Sequence, residues 1–307
     1  MQRSGSYFLT IDYFVCVYFF GFVIGKIKHI PKEKSSILSV LLVNGFLPAK
    51  VFLNFLTQCT LSYFTKSYLT LFVSSAFLIL LVFLSWAMSK LLTRHPYERK
   101  VYRYSFAISN YAYLGYVFVE NTLGSAALTD MILFCIPFAF YTYTFGYSLL
   151  SNKPKWWKNM ITPMTVAIAM GMVFGMCSIP LPSIASKTFE LASGCVGPLS
   201  MMVTGLVISS FSLKEILPDM KTLIFSFFRL VAIPAFLFGI CFLCELVVPL
   251  PSAVYPAVVI MGCMPCGLNT IVFPSTVGED CRMGARFVLL SHILCLVTIP
   301  IWIWVIT

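Results

Sequence analysis

The segment "CMPCGLNTIVFPSTVGED" at residues 263–280 interrupts an apolar stretch where a membrane-spanning helix would favour leucine. Pro265 lacks a backbone N–H and Gly267 adds conformational freedom, so together they predict a broken helix. Non-helical backbone at membrane depth persists only where protein buries it or a water-filled cavity solvates it. Asn269 adds an amide that can donate or accept a hydrogen bond. The segment therefore indicates a polar site within a membrane or, on a simpler interpretation, a kinked spanning helix.

The composition places the rest of the chain in a membrane as well. Of its 307 residues, 59% are hydrophobic and only 10% are charged, whereas about 25% of the residues of a soluble domain are charged. Apolar runs of about 20 residues, the length that crosses a bilayer, recur along the sequence. They predict ten spans, at residues 7–25, 36–57, 68–89, 102–122, 127–150, 159–179, 190–211, 221–244, 253–276 and 285–305.

The basic residues predict how these spans are oriented. At least two Lys or Arg residues lie in or directly beside each connection after the first, third, fifth, seventh and ninth spans, and the other connections hold one at most. Cytoplasmic loops are enriched in Lys and Arg, so both termini are expected on the non-cytoplasmic side of a plasma membrane or endomembrane. The net charge of +10 then reflects orientation in the lipid bilayer, and no nucleic-acid partner is expected.

The two halves of the chain resemble each other. The matching pairs are "GFVIG" at 21–25 with "GMVFG" at 171–175, Pro48 with Pro198, and "NTLG" at 121–124 with "STVG" at 275–278. They predict a first five-helix repeat at residues 1–152 and a second at 153–307. Because five is odd, the second repeat must be inverted, an arrangement typical of secondary transporters with interrupted helices at the midplane.

Several segments of the chain resemble the auxin efflux carrier family, which includes plant PIN-type carriers and bacterial malonate or malate permease-like proteins. They are "GFLPAKVFLNF" (45–55), "SNYAYLGYVFVENTLG" (109–124), "GPLSMMVTGLVIS" (197–209), "MPCGLNTIVFPSTVGED" (264–280) and "VLLSHILCLVTIPIWI" (288–303). The resemblance implies an all-α integral membrane protein of ten transmembrane helices in two inverted repeats. Spans 1, 2, 6 and 7 would form a scaffold, and spans 3–5 and 8–10 would form a transport unit in which the broken helices 4 and 9 cross. It also implies an organic anion as substrate and a homodimer through the scaffold.

Two departures from the family pattern stand out. Tyr116 and Val117 follow Gly115 where the family has a proline, so the break in span four is expected to be less sharp. The long hydrophilic loop of the plant carriers is missing, since "SNKPKWWKN" at 151–159 is nearly the whole link between spans five and six. The short link weakens the expectation that auxin itself is the substrate.

The interruptions and the resemblance together predict the substrate-binding residues. These are Asn110, Tyr111, Gly115, Pro265, Cys266, Gly267, Asn269 and Lys50. In the competing interpretation the two asparagines only bond neighbouring helices, as polar residues in spans commonly do. Tyr111 and Tyr113 would then face lipid, and His292 would be a packing donor instead of a group that titrates near neutral pH.

Lys50 carries a charge about 21 Å into span two at 1.5 Å per residue. A charge within the membrane requires a partner or a route for its ammonium group to the interface. Asp12 lies at a comparable depth in span one, so a structural Asp12–Lys50 pair is one hypothesis. Direct contact between Lys50 and the substrate is the other.

No pattern in the sequence indicates an enzyme. The three histidines, His29, His95 and His292, are far apart, and we find no metal-binding cluster and no glycine loop for phosphates. Hence neither a cofactor nor an ATP-driven motor is expected. The predicted function is a secondary transporter or uniporter that exports a small organic anion by elevator-like alternating access. The alternative is a non-transporting sensor of the same fold that binds a lipid or metabolite.

Overall fold

A computed structural model describes residues 2–27, 32–151, 161–212, 214, 219–247, 254–275 and 277–306, with the backbone alone for residues 2–12, 14, 15, 32–36 and 306. The described chain is helical, and its one β-type contact is an isolated bridge. The helices are α1 (Gln2–Ile27), α2 (Lys32–Leu41), α3 (Leu47–Gln58), α4 (Leu61–Ser67), α5 (Leu69–Leu92), α6 (Pro96–Ala107), α7 (Tyr116–Leu123), α8 (Ser125–Tyr141), α9 (Tyr147–Ser151), α10 (Pro163–Met176), α11 (Ser183–Ser209), α12 (Met220–Phe227), α13 (Ile233–Val247), α14 (Val254–Cys263), α15 (Asn269–Ser275) and α16 (Arg282–Ile306).

Six continuous helical stretches in the described residues are long and apolar enough to cross a membrane. They are Ile37–Gln58, Leu69–Leu92, Ser125–Ser151, Ser183–Ser209, Met220–Glu245 and Arg282–Val305. Shorter apolar helices lie at Cys16–Ile27, Pro163–Met176 and Val254–Cys263. The prediction of a helical, multi-pass membrane protein is confirmed to this extent, and the arrangement of ten spans in two inverted repeats stays a prediction.

Four π-helical turns occur in the described residues, and three of them lie within these stretches. They lie at Leu42–Phe46, Tyr111–Gly115, Thr142–Gly146 and Phe228–Ala232. Such turns are rare and occur frequently at functional sites, because one extra residue re-aims the side chains beside it. Two of the four contain residues of the site described below, namely Tyr111 and Arg229.

The chain divides into two compact units. Unit 1 comprises Met1–Leu69, Ala112–Leu133 and Lys158–Ser210, and unit 2 comprises Thr70–Tyr111, Phe134–Trp157 and Phe211–Thr307. Each unit therefore draws its helices from both halves of the sequence.

Glycines allow α1 and α11 to approach closely in unit 1. A Cβ atom on Gly21 would lie 2.4 Å from the carbonyl oxygen of Met202, and one on Gly205 would lie 2.2 Å from that of Tyr18. Both distances are shorter than a van der Waals contact, so the two backbones touch only because the side chains are absent. Small residues at helix interfaces favour association in membranes for this reason.

Glycines also allow α10 and α3 to approach closely in unit 1. A Cβ atom on Gly171 would lie 2.9 Å from the carbonyl oxygen of Phe52, and one on Gly175 would lie 2.4 Å from that of Phe55. The two repeated "G-x-x-x-G" motifs of the sequence thus have the same use, since each lets a helix of one sequence half pack on a helix of the other half.

Aromatic rings fill the interior of unit 2 between α6, α12 and α16. The rings of Phe225 and Phe287 stack with centroids 3.8 Å apart, and Phe106 lies 5.0 Å from Phe225. Tyr102 of α6 closes the cluster at 5.1 Å from Phe287. Aromatic rings bury large apolar areas in preferred geometries, so the cluster fixes these three helices around the interrupted segments.

Candidate functional site

Two helical segments of unit 2 are interrupted. The segment predicted from Pro265 and Gly267 breaks between the end of α14 at Cys263 and the start of α15 at Asn269. In the earlier segment α6 ends at Ala107, and helical structure resumes only with the π turn at 111–115. This break occurs upstream of Gly115, at residues 108–110, and needs no proline.

The two interruptions pair with each other. Ser109 and Cys266 form an antiparallel bridge, and the Asn110 N–H donates to the carbonyl oxygen of Pro265 at 2.8 Å. A Cβ atom on Gly267 would lie 3.3 Å from the carbonyl oxygen of Ser109, so the glycine permits the close approach. The Cys266 N–H donates to Ser291 Oγ at 3.0 Å. Backbone groups freed from helical bonding thereby find partners, as the interior of a membrane protein requires.

The side chain of Asn110 is held by His292. The Nδ1 atom of His292 lies 2.8 Å from the carbonyl oxygen of Val288, which can only accept, so Nδ1 carries the proton. In the neutral ring Nε2 is then an acceptor and takes the hydrogen bond from Asn110 Nδ2 at 3.0 Å. This network assigns the amide orientation and leaves Asn110 Oδ1 facing away from the ring.

Two polar atoms at the paired interruptions lack partners within the described part of the chain. Asn110 Oδ1 and Ser109 Oγ are both buried, and neither forms a hydrogen bond with another described residue. Buried polar groups are nearly always satisfied, so each exception points to a water molecule, an ion or a ligand at that place. These atoms mark the candidate binding site.

A buried arginine fixes the ends of the two half-helices. Arg229, which is 1% exposed, donates to Phe106 O at the end of α6 and to Met261 O and Met264 O at the end of α14. The last carbonyl groups of a helix have no partner within that helix and carry partial negative charge. One guanidinium group therefore donates hydrogen bonds to backbone carbonyl groups at both helix ends.

The other predicted residues of unit 2 surround these atoms. Tyr111 is buried beside Thr142 and Tyr143, and Asn269 is half-buried beside the hydroxyl of Tyr104. Within unit 2 the structure thus groups Asn110 and Tyr111 with Pro265, Cys266, Gly267 and Asn269. Gly115 and Lys50 belong to unit 1.

Lys50 pairs with a carboxylate in unit 1. Its Nζ donates to Glu120 Oε2, and the side chains are 5% and 33% exposed, respectively. Nearby, Asn54 Nδ2 donates to Thr129 Oγ1 at 2.7 Å, which adds a second polar contact between α3 and the helices at 116–141. The side chain of Asp12 lies outside the described residues, so the Asp12–Lys50 pair stays a prediction.

We expect Glu120→Gln to lower the free energy of unfolding by about 3 kcal/mol, because it leaves the buried ammonium of Lys50 without its counter-charge. Thermal melting of the detergent-purified protein measures the effect. The double variant Lys50→Met with Glu120→Gln should regain most of the loss. Asp12→Asn is the matched comparison, and a loss of stability with Asp12→Asn but none with Glu120→Gln would identify Asp12 as the principal partner.

A polar pocket of about 360 Å³ lies at the loop end of unit 2. Its charged residues are paired with one another. The pairs are Glu98 with Lys221 at 2.9 Å, Asp219 with Arg286 at 3.1 Å, and Asp280 with Arg282 at 2.8 Å. Burial alone would raise the pKa of Glu98, but hydrogen bonds from Thr93 and Lys221 outweigh it, so the pKa lies below its usual value. These carboxylates stay ionised and neutralise the basic residues, which disfavours this pocket as an anion site.

Arg229 and Glu120 were not among the residues predicted from the sequence, and His292 was expected chiefly to be a packing donor. A signal existed for the first two, because Arg229 stands alone in "FSFFRLVAIPAF" and Glu120 is the one carboxylate in "YVFVENTLG". Ionisable residues within a span require partners and mark functional sites by default. Ser291 carried no such signal, because an isolated serine in an apolar helix is common.

Comparison with known proteins identifies the family of the chain. A model of the Membrane transport protein family matches residues 13–155 and 149–303, nearly the whole chain. No curated protein matches the chain significantly. The resemblance to the auxin efflux carriers, which belong to the same family, is thereby confirmed. The chain is a multi-pass membrane transporter and belongs to the Membrane transport protein family.

Proposed function

We propose that this transporter is a secondary transporter or uniporter that exports a small organic anion, auxin-like or another carboxylate, from a site at the paired interruptions. The observation that carries the proposal is the pair of buried, unpartnered atoms Ser109 Oγ and Asn110 Oδ1, which lie where two broken helices meet. In transporters built from inverted repeats, substrates bind near the bilayer midplane at such discontinuous helices.

The donors at this place suit a carboxylate. Ser109 offers a hydroxyl group, Asn110 Nδ2 has a second N–H besides the one given to His292, and the amide of Asn269 can turn an N–H toward a ligand. Asn110 Oδ1 can only accept a hydrogen bond, so a water molecule would meet it beside the carboxylate. Hydrogen bonds from such neutral donors to a charged group stabilise it by about 1.5–3 kcal/mol each. The flux experiment below decides which carboxylate is carried.

We propose elevator-type alternating access for the movement. The division into two units supports it, because α3 and α11 lie in unit 1 whereas α5, α6 and α14–α16 lie in unit 2. The glycine contacts α1–α11 and α10–α3 support a repeat in which corresponding helices exchange partners. Spans 1, 2, 6 and 7 would be the scaffold and the site of homodimerisation, and spans 3–5 and 8–10 would slide with the substrate.

One stretch of the proposed transport spans, Ala112–Leu133, lies in unit 1. The Lys50–Glu120 and Asn54–Thr129 contacts hold it against α3. In an elevator movement these two contacts must open. Both are polar, so water that enters the gap can solvate the separated groups, which makes the opening far less costly than the separation of an apolar interface.

The membrane potential supplies a driving force for export. An anion leaving a negative cytoplasm gains about 2.3 kcal/mol per charge per 100 mV. Export by a uniporter therefore needs no coupling ion.

Flux into proteoliposomes tests the proposal. Labelled indole-3-acetate and labelled malonate serve as monocarboxylate and dicarboxylate probes, with empty liposomes as the control. We expect saturable flux of at least one probe, and a loss of that flux with Asn269→Ala. Saturable binding without flux would instead support the sensor. The missing proline after Gly115 would favour the sensor if it left span four unbroken, but the helix breaks at 108–110 without a proline.

A further inference from the structure

Arg229 is a buried cation at the candidate site. Its three hydrogen bonds, of 3.2 Å to Met264 O, 3.0 Å to Phe106 O and 3.2 Å to Met261 O, all go to backbone carbonyl groups. The acceptors lie at the ends of both half-helices, two to five residues before the paired positions Ser109 and Cys266. The guanidinium therefore lies directly behind the point where the two segments meet.

These partners hold the charge in place but do not cancel it. Carbonyl groups are dipoles, so the arrangement keeps a formal charge of +1 inside the unit. The ion pairs that the described residues of unit 2 form use other cations. The pairs are Glu98 with Lys221, Asp219 with Arg286, and Asp280 with Arg282. No carboxylate in the described part of the chain is paired with Arg229.

A buried charge without a counter-charge is costly, and a protein that retains one gains from a partner that arrives later. In a site of low dielectric a fixed positive charge attracts an anion strongly and leaves a neutral ligand of the same shape unaffected. Arginine fits this place better than lysine, because its planar fork can bond three carbonyl groups at once and it does not lose its proton.

We propose that Arg229 is the residue that makes the site select anions over neutral molecules of the same shape. It is a positioning residue as well, because it fixes the ends of α6 and α14, and it acts on the ligand through its charge without touching it. This inference rests on the proposed function, since it presupposes that the ligand binds at the paired interruptions.

The test compares an acid with its neutral isostere. Equilibrium binding of labelled indole-3-acetate and indole-3-acetamide is measured for the detergent-purified wild type, Arg229→Gln and Arg229→Lys, with malonate and malonamide as a second pair. We expect the wild type to prefer the acid by about 10- to 100-fold, as a unit charge at several ångströms allows. Arg229→Gln should abolish that preference by weakening acid binding, and should change amide binding less than about threefold.

Arg229→Lys separates the effect of the charge from that of the hydrogen bonds to the helix ends. It keeps the positive charge but loses the planar guanidinium that bonds three carbonyl groups. Its melting temperature should therefore fall while its preference for the acid persists. Arg103→Gln is the matched control, because Arg103 lies on α6 with its Nε bonded to Ser89 Oγ at 3.2 Å, away from the interruptions. Its preference should equal that of the wild type.

Two results would overturn the inference. One is a folded Arg229→Gln that keeps the wild-type preference for the acid. The other is a folded Arg229→Lys that has lost the preference, which decides the question if the glutamine variant fails to fold. Both leave the proposed function standing. A wild type that binds none of the four probes would contradict the proposed function itself, so the two failures are distinguishable.

Discussion

Replacing Asn110 with leucine is expected to lower the transport of organic anions by about 10- to 100-fold while the protein stays folded. Leucine has nearly the shape of asparagine, so the packing at the paired interruptions is retained. The variant loses the Nδ2 group, which donates one N–H to His292 Nε2 and has a second N–H for the ligand, together with the buried Oδ1 atom. A hydrogen bond to a charged ligand contributes about 1.5–3 kcal/mol, which corresponds to the expected change in rate or affinity.

The control for this variant lies in the same segment. Asn121 is exposed, and its Nδ2 donates to the carbonyl oxygen of Val117 at 2.7 Å within its own helix. Asn121→Leu makes the same chemical change outside the site, so its flux should match that of the wild type. If both variants lose flux equally, or if Asn110→Leu transports normally, the site does not lie at Asn110. Asn269→Leu should behave like Asn110→Leu, because Asn269 is the other amide at the interruptions.

The broken segment at 264–268 could be predicted because its cause is local. A proline cannot donate a hydrogen bond and a glycine does not resist bending, so both act through their own covalent structure. The break at 108–110 has a different cause. Asn110 gives its N–H to Pro265 instead of to its own helix, so the first interruption depends on the second. A sequence pattern within one segment cannot show that its break depends on a second segment. From the missing proline alone, the break in span four was expected to be less sharp than it is.

The partners of the buried charged residues could not be predicted from the sequence. Lys50 was recognised as a charge that needs a partner, and the structure supplies Glu120, which lies 70 positions away in the sequence. Arg229 has only backbone carbonyl groups as partners, and every residue possesses one. The sequence shows a lone charge within a span but not its partners, and only the positions of the two helix ends reveal those.

Replacing Gly205 with alanine is expected to destabilise the protein by about 3 kcal/mol or to prevent its folding. The added Cβ atom would lie 2.2 Å from the carbonyl oxygen of Tyr18 and 2.7 Å from the backbone nitrogen of Phe22. Both neighbours are backbone atoms of α1, so no side chain can rotate away and α1 must move off α11. Overpacking of this kind costs about 1–3 kcal/mol in cores that can partly adjust, and more where they cannot.

Gly194 provides a matched control in the same helix, because a Cβ atom there would meet nothing within 4 Å. Gly194→Ala should leave the melting temperature unchanged or raise it, since alanine favours a helix over glycine by about 1 kcal/mol. Fluorescence-detected size-exclusion chromatography after heating measures both variants on one scale. A Gly205→Ala protein as stable as Gly194→Ala would mean that α1 and α11 do not touch at this glycine. The exchange of partners between the two sequence halves, which supports the inverted repeat, would then lose the stronger of its two contacts.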